Sequence, residues 1–279
     1  MNLITSLNRK DFAELIASKI IQEKDRIKTQ YEVSKNKIGF FFIDDLLPQE
    51  ITTHIQSQFP SHEDMVLKKS LRENKFIAVQ MNQYAAVLEE LIYAFQDERV
   101  VNLIKDICEI NDLQPDENLY AGGLSSMKQS QFLNPHLDNS HDNERNSWRV
   151  LNLLFYVTPN WEDSSGGHLE IWPDGLKQDP IILYSKFNRL VVMATHGKSW
   201  HSVSPVIADA SRNCVSNYYF LDAPLSNTDR FHVTTFRGRP KQKIRNHILK
   251  LDSFLRMNLR KIFKKGVVKN PHVYKSNKD

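Results

Sequence analysis

Apolar positions in the first third of the chain recur at helical spacing. Phe12, Leu15, Ile16, Ile20 and Ile21 follow at intervals of three, one, four and one, which lines one face of a helix. Asn8 or Asp11 is placed to cap its start. The apolar run Gly39-Phe40-Phe41-Phe42-Ile43 then reads as a strand. Residues 44–50 read as a turn into a second helix, with Pro48 in the first turn, where a missing N–H costs nothing. Two further helical stretches follow near 84–95 and 98–110, their Leu and Ile residues facing a core. From about residue 119 the apolar pattern becomes that of short strands. β-rich runs at 149–158, 168–172, 180–184, 189–194, 201–207, 214–221 and 231–236 alternate with turn-forming clusters, the spacing of a sandwich or barrel. The loop 159–167 ends on Gly166-Gly167; in a chain of nine glycines, an adjacent pair marks backbone that other residues cannot adopt. Beyond 236, Ile244, Ile248, Leu251, Leu255, Leu259 and Ile262 recur at four, three, four, four and three, a long amphipathic helix. No internal repeat is present, and the last dozen residues read as frayed.

These elements divide the chain into a helical support over 1–118 that includes the strand at 39–43, a β core over 119–236 continuous with it as one domain, and a basic helix and tail over 237–279. The fold class is α+β with a mainly β core. Composition narrows the picture: 41% hydrophobic and 25% charged residues exclude a wholly disordered, collagen-like or disulfide-rich chain. Two cysteines, Cys108 and Cys214, cannot build a disulfide framework. With no run of about eighteen apolar residues and no secretory apolar core in residues 1–10, the expected location is cytoplasmic. The net charge of +4 hides a split, because residues 237–279 carry fourteen Lys/Arg against two Asp, leaving −8 on the first 236.

The candidate chemistry sits in Asn134-Pro135-His136-Leu137-Asp138-Asn139. On a strand, residues two apart point the same way, so His136 and Asp138 can hold one metal ion together. A facial triad needs one more His and leaves three coordination positions open. His201, after the apolar strand 189–194, is the candidate. Arg212, eleven residues later, would be a buried charge without a partner inside a small barrel, and a dicarboxylate ligand would supply one.

Together His136-x-Asp138, His201 and Arg212 resemble the motif of Fe(II)/2-oxoglutarate-dependent dioxygenases, closest in pattern to the prolyl 4-hydroxylase-like branch and its oxygen-sensing members. Residues 149–157, Asn160-Trp161, 166–171, 187–191 and 200–220 match that branch in order and approximate spacing, so the resemblance covers about 119–221. It implies a double-stranded β-helix (jelly-roll, cupin-like) barrel with N-terminal supporting helices and the C-terminal helix beside it. It further implies Fe(II) on His136, Asp138 and His201, and 2-oxoglutarate with its distal carboxylate on Arg212 and Tyr156. Asn152, Ser216 and Tyr218 would line the same pocket. The implied reaction uses O2, with ascorbate as reductant, to hydroxylate an unactivated C–H bond while 2-oxoglutarate becomes succinate and CO2. Asp138 argues for hydroxylation, since related halogenases carry a small residue there. Two departures stand out: a slightly long His201–Arg212 interval, and Ser126 and Ser130 where the branch has Tyr and Gly.

The substrate is left open by this reading: a prolyl or other side chain in a protein, or a free amino acid, sugar or natural-product intermediate. The alternative is a non-catalytic 2-oxoglutarate- or metal-binding sensor on the same barrel; a zinc hydrolase would leave Arg212 unexplained. His141 and Asp142 read as a solvated lid in the polar loop 139–147, and His168, His196, His232, His247 and His272 as surface or structural residues. Arg245, Lys250, Arg256, Arg260, Lys261, Lys264 and Lys265 interleave with the apolar stripe of the tail. They belong either to a helix that packs its stripe on the barrel, or to a patch for an acidic partner, nucleic acid or membrane surface.

Overall fold

The computed structural model describes residues 7–120, 122–263 and 274. Helix α1 (Arg9–Ser34) starts on a capping box in which the Asn8 side chain accepts from the Asp11 amide and the Asp11 carboxylate accepts from the Asn8 amide. Strand β1 (Phe40–Ile43) follows, then α2 (Gln49–Ser57), with Pro48 just before the first helical residue. The N-terminal third then departs from the helical expectation. Strands β2 (Val66–Lys69) and β3 (Glu73–Ala78) form a hairpin before α3 (Ala86–Ala94) and α4 (Glu98–Cys108). The hairpin is hard to see in sequence because charged residues fall on both faces and the turn carries no Gly, Pro or Asn.

After the short β4 (Gln114–Pro115), the core strands are β5 (Gly123–Met127), β6 (Phe132–Leu137), β7 (Trp148–Tyr156), β8 (Leu169–Ile171), β9 (Ile181–Leu183), β10 (Arg189–Ala194), β11 (His201–Val203) and β12 (Arg212–Leu221). β13 (Thr235–Phe236) and α5 (Lys243–Ile262) complete the described chain. The strand at 201 ends four residues earlier than its apolar run suggests, and β13 keeps only the last two residues of its run. Hydrogen bonding runs antiparallel along β1-β10-β7-β12-β5-β3-β6-β11-β8-β9. Between β3 and β6 only Glu73 and Asn74 pair across, and there the sheet curls into the half-barrel of a double-stranded β-helix. β3 thus completes the barrel wall from outside the 119–236 segment.

Strand alternation decides what each face meets. Leu151, Leu153 and Phe155 of β7 and Leu190 and Val192 of β10 join Phe12, Ile16 and Ile20 of α1 and Ile104 of α4 in one core outside the barrel. Tyr156, Val191, Met193 and Cys214 face inward with Leu169 and Ile171. The helices therefore back the sheet and leave its inner face to a cavity. Both cysteines are free and buried. No helix among the described residues is long and apolar enough to cross a membrane.

Candidate active site

The inner face encloses a cavity of about 270 Å³, and His136, Asp138, His201, Arg212, Tyr156, Asn152, Ser216 and Tyr218 all line it. His136 and His201 stand opposite one another on β6 and β11, with ring centroids 4.1 Å apart. Asp138 lies just past the end of β6, its Oδ1 3.5 Å from His136 Nε2 and its Oδ2 3.8 Å from His201 Nε2. One ligand atom from each of the three falls within 4.8 Å of the others.

The ring nitrogens are sorted by their partners. His136 Nδ1 is 2.9 Å from the Asn134 carbonyl and His201 Nδ1 is 3.0 Å from the Ser199 carbonyl. A carbonyl only accepts, so each Nδ1 carries the proton and each Nε2 lone pair turns to the shared centre. Phe236 stacks on His136 at 5.0 Å and fixes its plane. Burial, aided by His136, pushes His201 down to about 4, which keeps it a neutral ligand. Burial opposes the Asp138 carboxylate, but His201, His136 and Arg149 outweigh it and hold the group well below the usual carboxylate range. Asp138 Oδ2 is buried without a hydrogen-bond partner. Two imidazoles, each turning Nε2 to the centre, and one carboxylate converge with a free carboxylate oxygen, and this set fits a divalent iron with positions left open.

At the second part of the cavity, Arg212 is buried at the start of β12. Its Nε has no partner, and Nη2 makes only a 3.7 Å contact to Met127 Sδ. The guanidinium carbon lies 5.2 Å from the ring centroid of Tyr156, whose hydroxyl is also without a partner. Burial pushes Tyr156 up to about 12, so it stays a hydroxyl donor. A buried cation and a hydroxyl with open valences fit the distal carboxylate of 2-oxoglutarate. The glycine pair makes the space: a Cβ on Gly167 would press on the Arg212 side chain at 3.1 Å, and one on Gly166 would strike the Pro205 carbonyl. Both adopt φ near +66°, which disfavours other residues. Asn152 Oδ1 accepts no hydrogen bond from the protein either.

Several residues at the site escape the sequence reading. Arg149 brings Nη1 to 3.8 Å from Asp138 Oδ1 and lies 4.3 Å from the Tyr218 ring centroid; its signal was a charge inside an apolar strand run. Glu73, Lys75 and Ile77 line the cavity as alternate residues of β3, with a Glu73–Lys75 ion pair at 3.3 Å. Ser126, in the position of the branch's tyrosine, faces away and bonds His62 at 2.8 Å, while Ser125 and Met127 line the cavity. Ser130 sits in the turn between β5 and β6 at φ 66°.

His141 is not part of a solvated lid. It is buried, bonded to Ser140 and packed on Phe231. Burial and Arg145 push it down to about 3. His168 and His232 are lowered by burial as well, in keeping with structural roles, and His168 Nε2 meets the Asp163 carbonyl at 2.9 Å. His272 lies outside the described residues. The sign follows from linkage. A folded pKa below the unfolded value of about 6.5 means the unfolded chain binds more protons, so stability is complete above that pH and declines as pH falls toward the folded pKa. His141 alone should cost about 1.4 kcal/mol per pH unit in that window. Melting temperature should therefore fall between about pH 7.5 and about pH 5.5; a flat profile would contradict the burial of neutral histidines.

Two histidines, one carboxylate and a buried arginine around one cavity inside a double-stranded β-helix are the side-chain set that a non-haem iron oxygenase site needs. Residues 122–220 match the family model described as the 2OG-Fe(II) oxygenase superfamily, a span containing all eight residues above. The chain carries a 2-oxoglutarate-dependent dioxygenase core, with Fe(II), 2-oxoglutarate and O2 as its metal and cosubstrates. A search of curated proteins finds no match. Solved structures share the fold. A prolyl hydroxylase from Trichoplax adhaerens, in complex with a hypoxia inducible factor oxygen degradation domain peptide, superposes with TM-score 0.53 at 17% identity, over 72% of this chain and 91% of its own. A prolyl-4-hydroxylase from Pseudomonas putida gives 0.53 at 15% identity, over 69% and 97%. HygX from Streptomyces hygroscopicus, with nickel and 2-oxoglutarate bound, gives 0.51 at 12%, over 74% and 96%.

Proposed function

We propose that the chain hydroxylates an aliphatic C–H bond of an amino-acid side chain, a prolyl residue of a peptide foremost, with His136, Asp138 and His201 as the iron ligands and Arg212 and Tyr156 as the anchor of 2-oxoglutarate. The observation that carries this reading is the set of unpartnered polar atoms in one cavity: Asp138 Oδ2, Arg212 Nε and the Tyr156 hydroxyl. Bound iron supplies oxygen activation coupled to decarboxylation of 2-oxoglutarate. This chain's residues do the positioning. The Asn134 and Ser199 carbonyls hold the imidazoles in the ligating tautomer. Arg212 and Tyr156 fix one end of the cosubstrate, and the apolar wall of Leu154, Leu169 and Val203 keeps water out.

Support for an amino-acid side chain comes from the two prolyl hydroxylases that share the fold, one of them holding a peptide. The β2–β3 hairpin puts Lys68, Glu73 and Lys75 on the cavity wall, a polar lining suited to peptide backbone or charged flanks. Peptide arrays with proline, lysine, asparagine and aspartate centres, read by mass spectrometry for one added oxygen with succinate release, test the class. Oxygen insertion into a prolyl peptide is the expected result. Succinate release driven solely by free metabolites, with every peptide unmodified, would overturn the substrate assignment while leaving the oxygenase core intact.

A further inference from the structure

The C-terminal helix is mounted with its apolar stripe outward. At 100° per residue, Ile244, Ile248, Leu251, Leu255, Leu259 and Ile262 fall within about 80° of the helix circumference. All six are exposed, Ile244 at 79% and Ile262 at 73%, and Phe254 beside them at 64%. The side held by the barrel is the opposite one, anchored by a single apolar residue and a few polar contacts. Leu249 and Ser253 are the buried residues of α5. Ser253 Oγ accepts from the Phe236 amide, and Asn246 Oδ1 accepts from the Gly238 amide. Arg145 donates to the Arg260 carbonyl at 2.6 Å near the helix C-terminus. Of the two readings of this helix, packing of the stripe on the barrel does not hold: the opposite face, through Leu249, Ser253 and Asn246, makes the attachment.

Lys243, Lys250 and Lys261 are exposed beyond one edge of the stripe, while on the other side Arg245 lies 5.5 Å from the Phe132 ring centroid and Arg256 pairs with Asp252 at 2.9 Å. With Arg260 on the docked side and Asp252 as the one acid, the helix carries a net of +5. We propose that α5 is a membrane-surface helix, which lays its Ile/Leu/Phe stripe into the headgroup–acyl boundary of an anionic bilayer while the exposed Lys side chains beside it reach the lipid phosphates. Charge decides the occupant. A second copy would bring two +5 faces together with one acid each, whereas an anionic lipid surface complements them. An apolar face bordered by cations whose long stems can reach the headgroups is the pattern of a helix lying in a bilayer interface. Mounting by the opposite face leaves the stripe available with the barrel fully folded, so binding needs no rearrangement of the iron site.

The test is co-flotation of the full chain with vesicles of phosphatidylcholine plus phosphatidylglycerol, against phosphatidylcholine alone. The wild type should float with the anionic vesicles, less so at high salt. Leu251→Glu with Leu255→Glu should lower the bound fraction about tenfold or more. Lys250→Glu with Lys261→Glu should lower it severalfold. These positions are solvent-exposed, so the variants should keep the wild-type melting temperature and 2-oxoglutarate turnover. Failure of the wild type to float would overturn the proposal. So would equal flotation on neutral vesicles, or a dimer seen by light scattering that the Leu variant disperses without any vesicle binding, which would assign the stripe to a second copy.

Discussion

Asp138→Ala should lower 2-oxoglutarate-dependent succinate formation by roughly a thousandfold or more, to the background of free iron. The carboxylate sits between His136 and His201 at 3.5 and 3.8 Å, and it is the one anionic member of the ligand set. Its removal leaves two imidazoles, which bind a divalent metal far more weakly, and leaves the buried Arg149 guanidinium at 3.8 Å without its counter-charge. The loss should appear as weaker Fe(II) binding in a metal titration, and the metal-free variant should melt below the wild type because the buried Arg149 has lost its carboxylate. Full turnover in this variant would remove Asp138 from the metal site.

Arg212→Ala should raise the KM for 2-oxoglutarate by about a hundredfold while leaving Fe(II) affinity near the wild-type value. The arginine is buried, its Nε has no protein partner, and Tyr156 borders it, so a carboxylate placed there gains a bidentate contact that nothing else in the cavity replaces. Arg212→Lys should recover part of the loss, since an ammonium keeps the charge and loses the planar fork. Steady-state kinetics with 2-oxoglutarate varied at fixed Fe(II) separates the two sites. An unchanged KM would place the cosubstrate's distal carboxylate elsewhere.

Much of the iron barrel was legible because its chemistry leaves periodic and paired signals. The strand runs from 149 to 221 announce themselves by apolar residues on both faces, since helices cover one side and the cavity wall the other. His136 and Asp138 share an orientation by strand geometry, and Gly166-Gly167 marks the close approach that makes room for Arg212. What stayed hidden depends on contacts between distant segments. The β2–β3 hairpin has no turn signature, and its charged residues take their meaning from lining a cavity shared with β6 and β12. His141 looks solvated in sequence because its loop is polar, yet Phe231 and Ser140 bury it. For α5 the periodicity was right, but it left open which side faces the barrel. Amphipathicity says that a face is apolar, and only the tertiary contacts of Leu249, Ser253 and Asn246 say which face is docked.

The most direct test of the iron and 2-oxoglutarate site is the visible spectrum of the protein mixed anaerobically with Fe(II) and 2-oxoglutarate. A weak metal-to-ligand charge-transfer band should appear when both are present, vanish in Asp138→Ala, and require much higher 2-oxoglutarate in Arg212→Ala. A wild-type protein that develops no band at saturating Fe(II) and 2-oxoglutarate would contradict the assignment of this cavity.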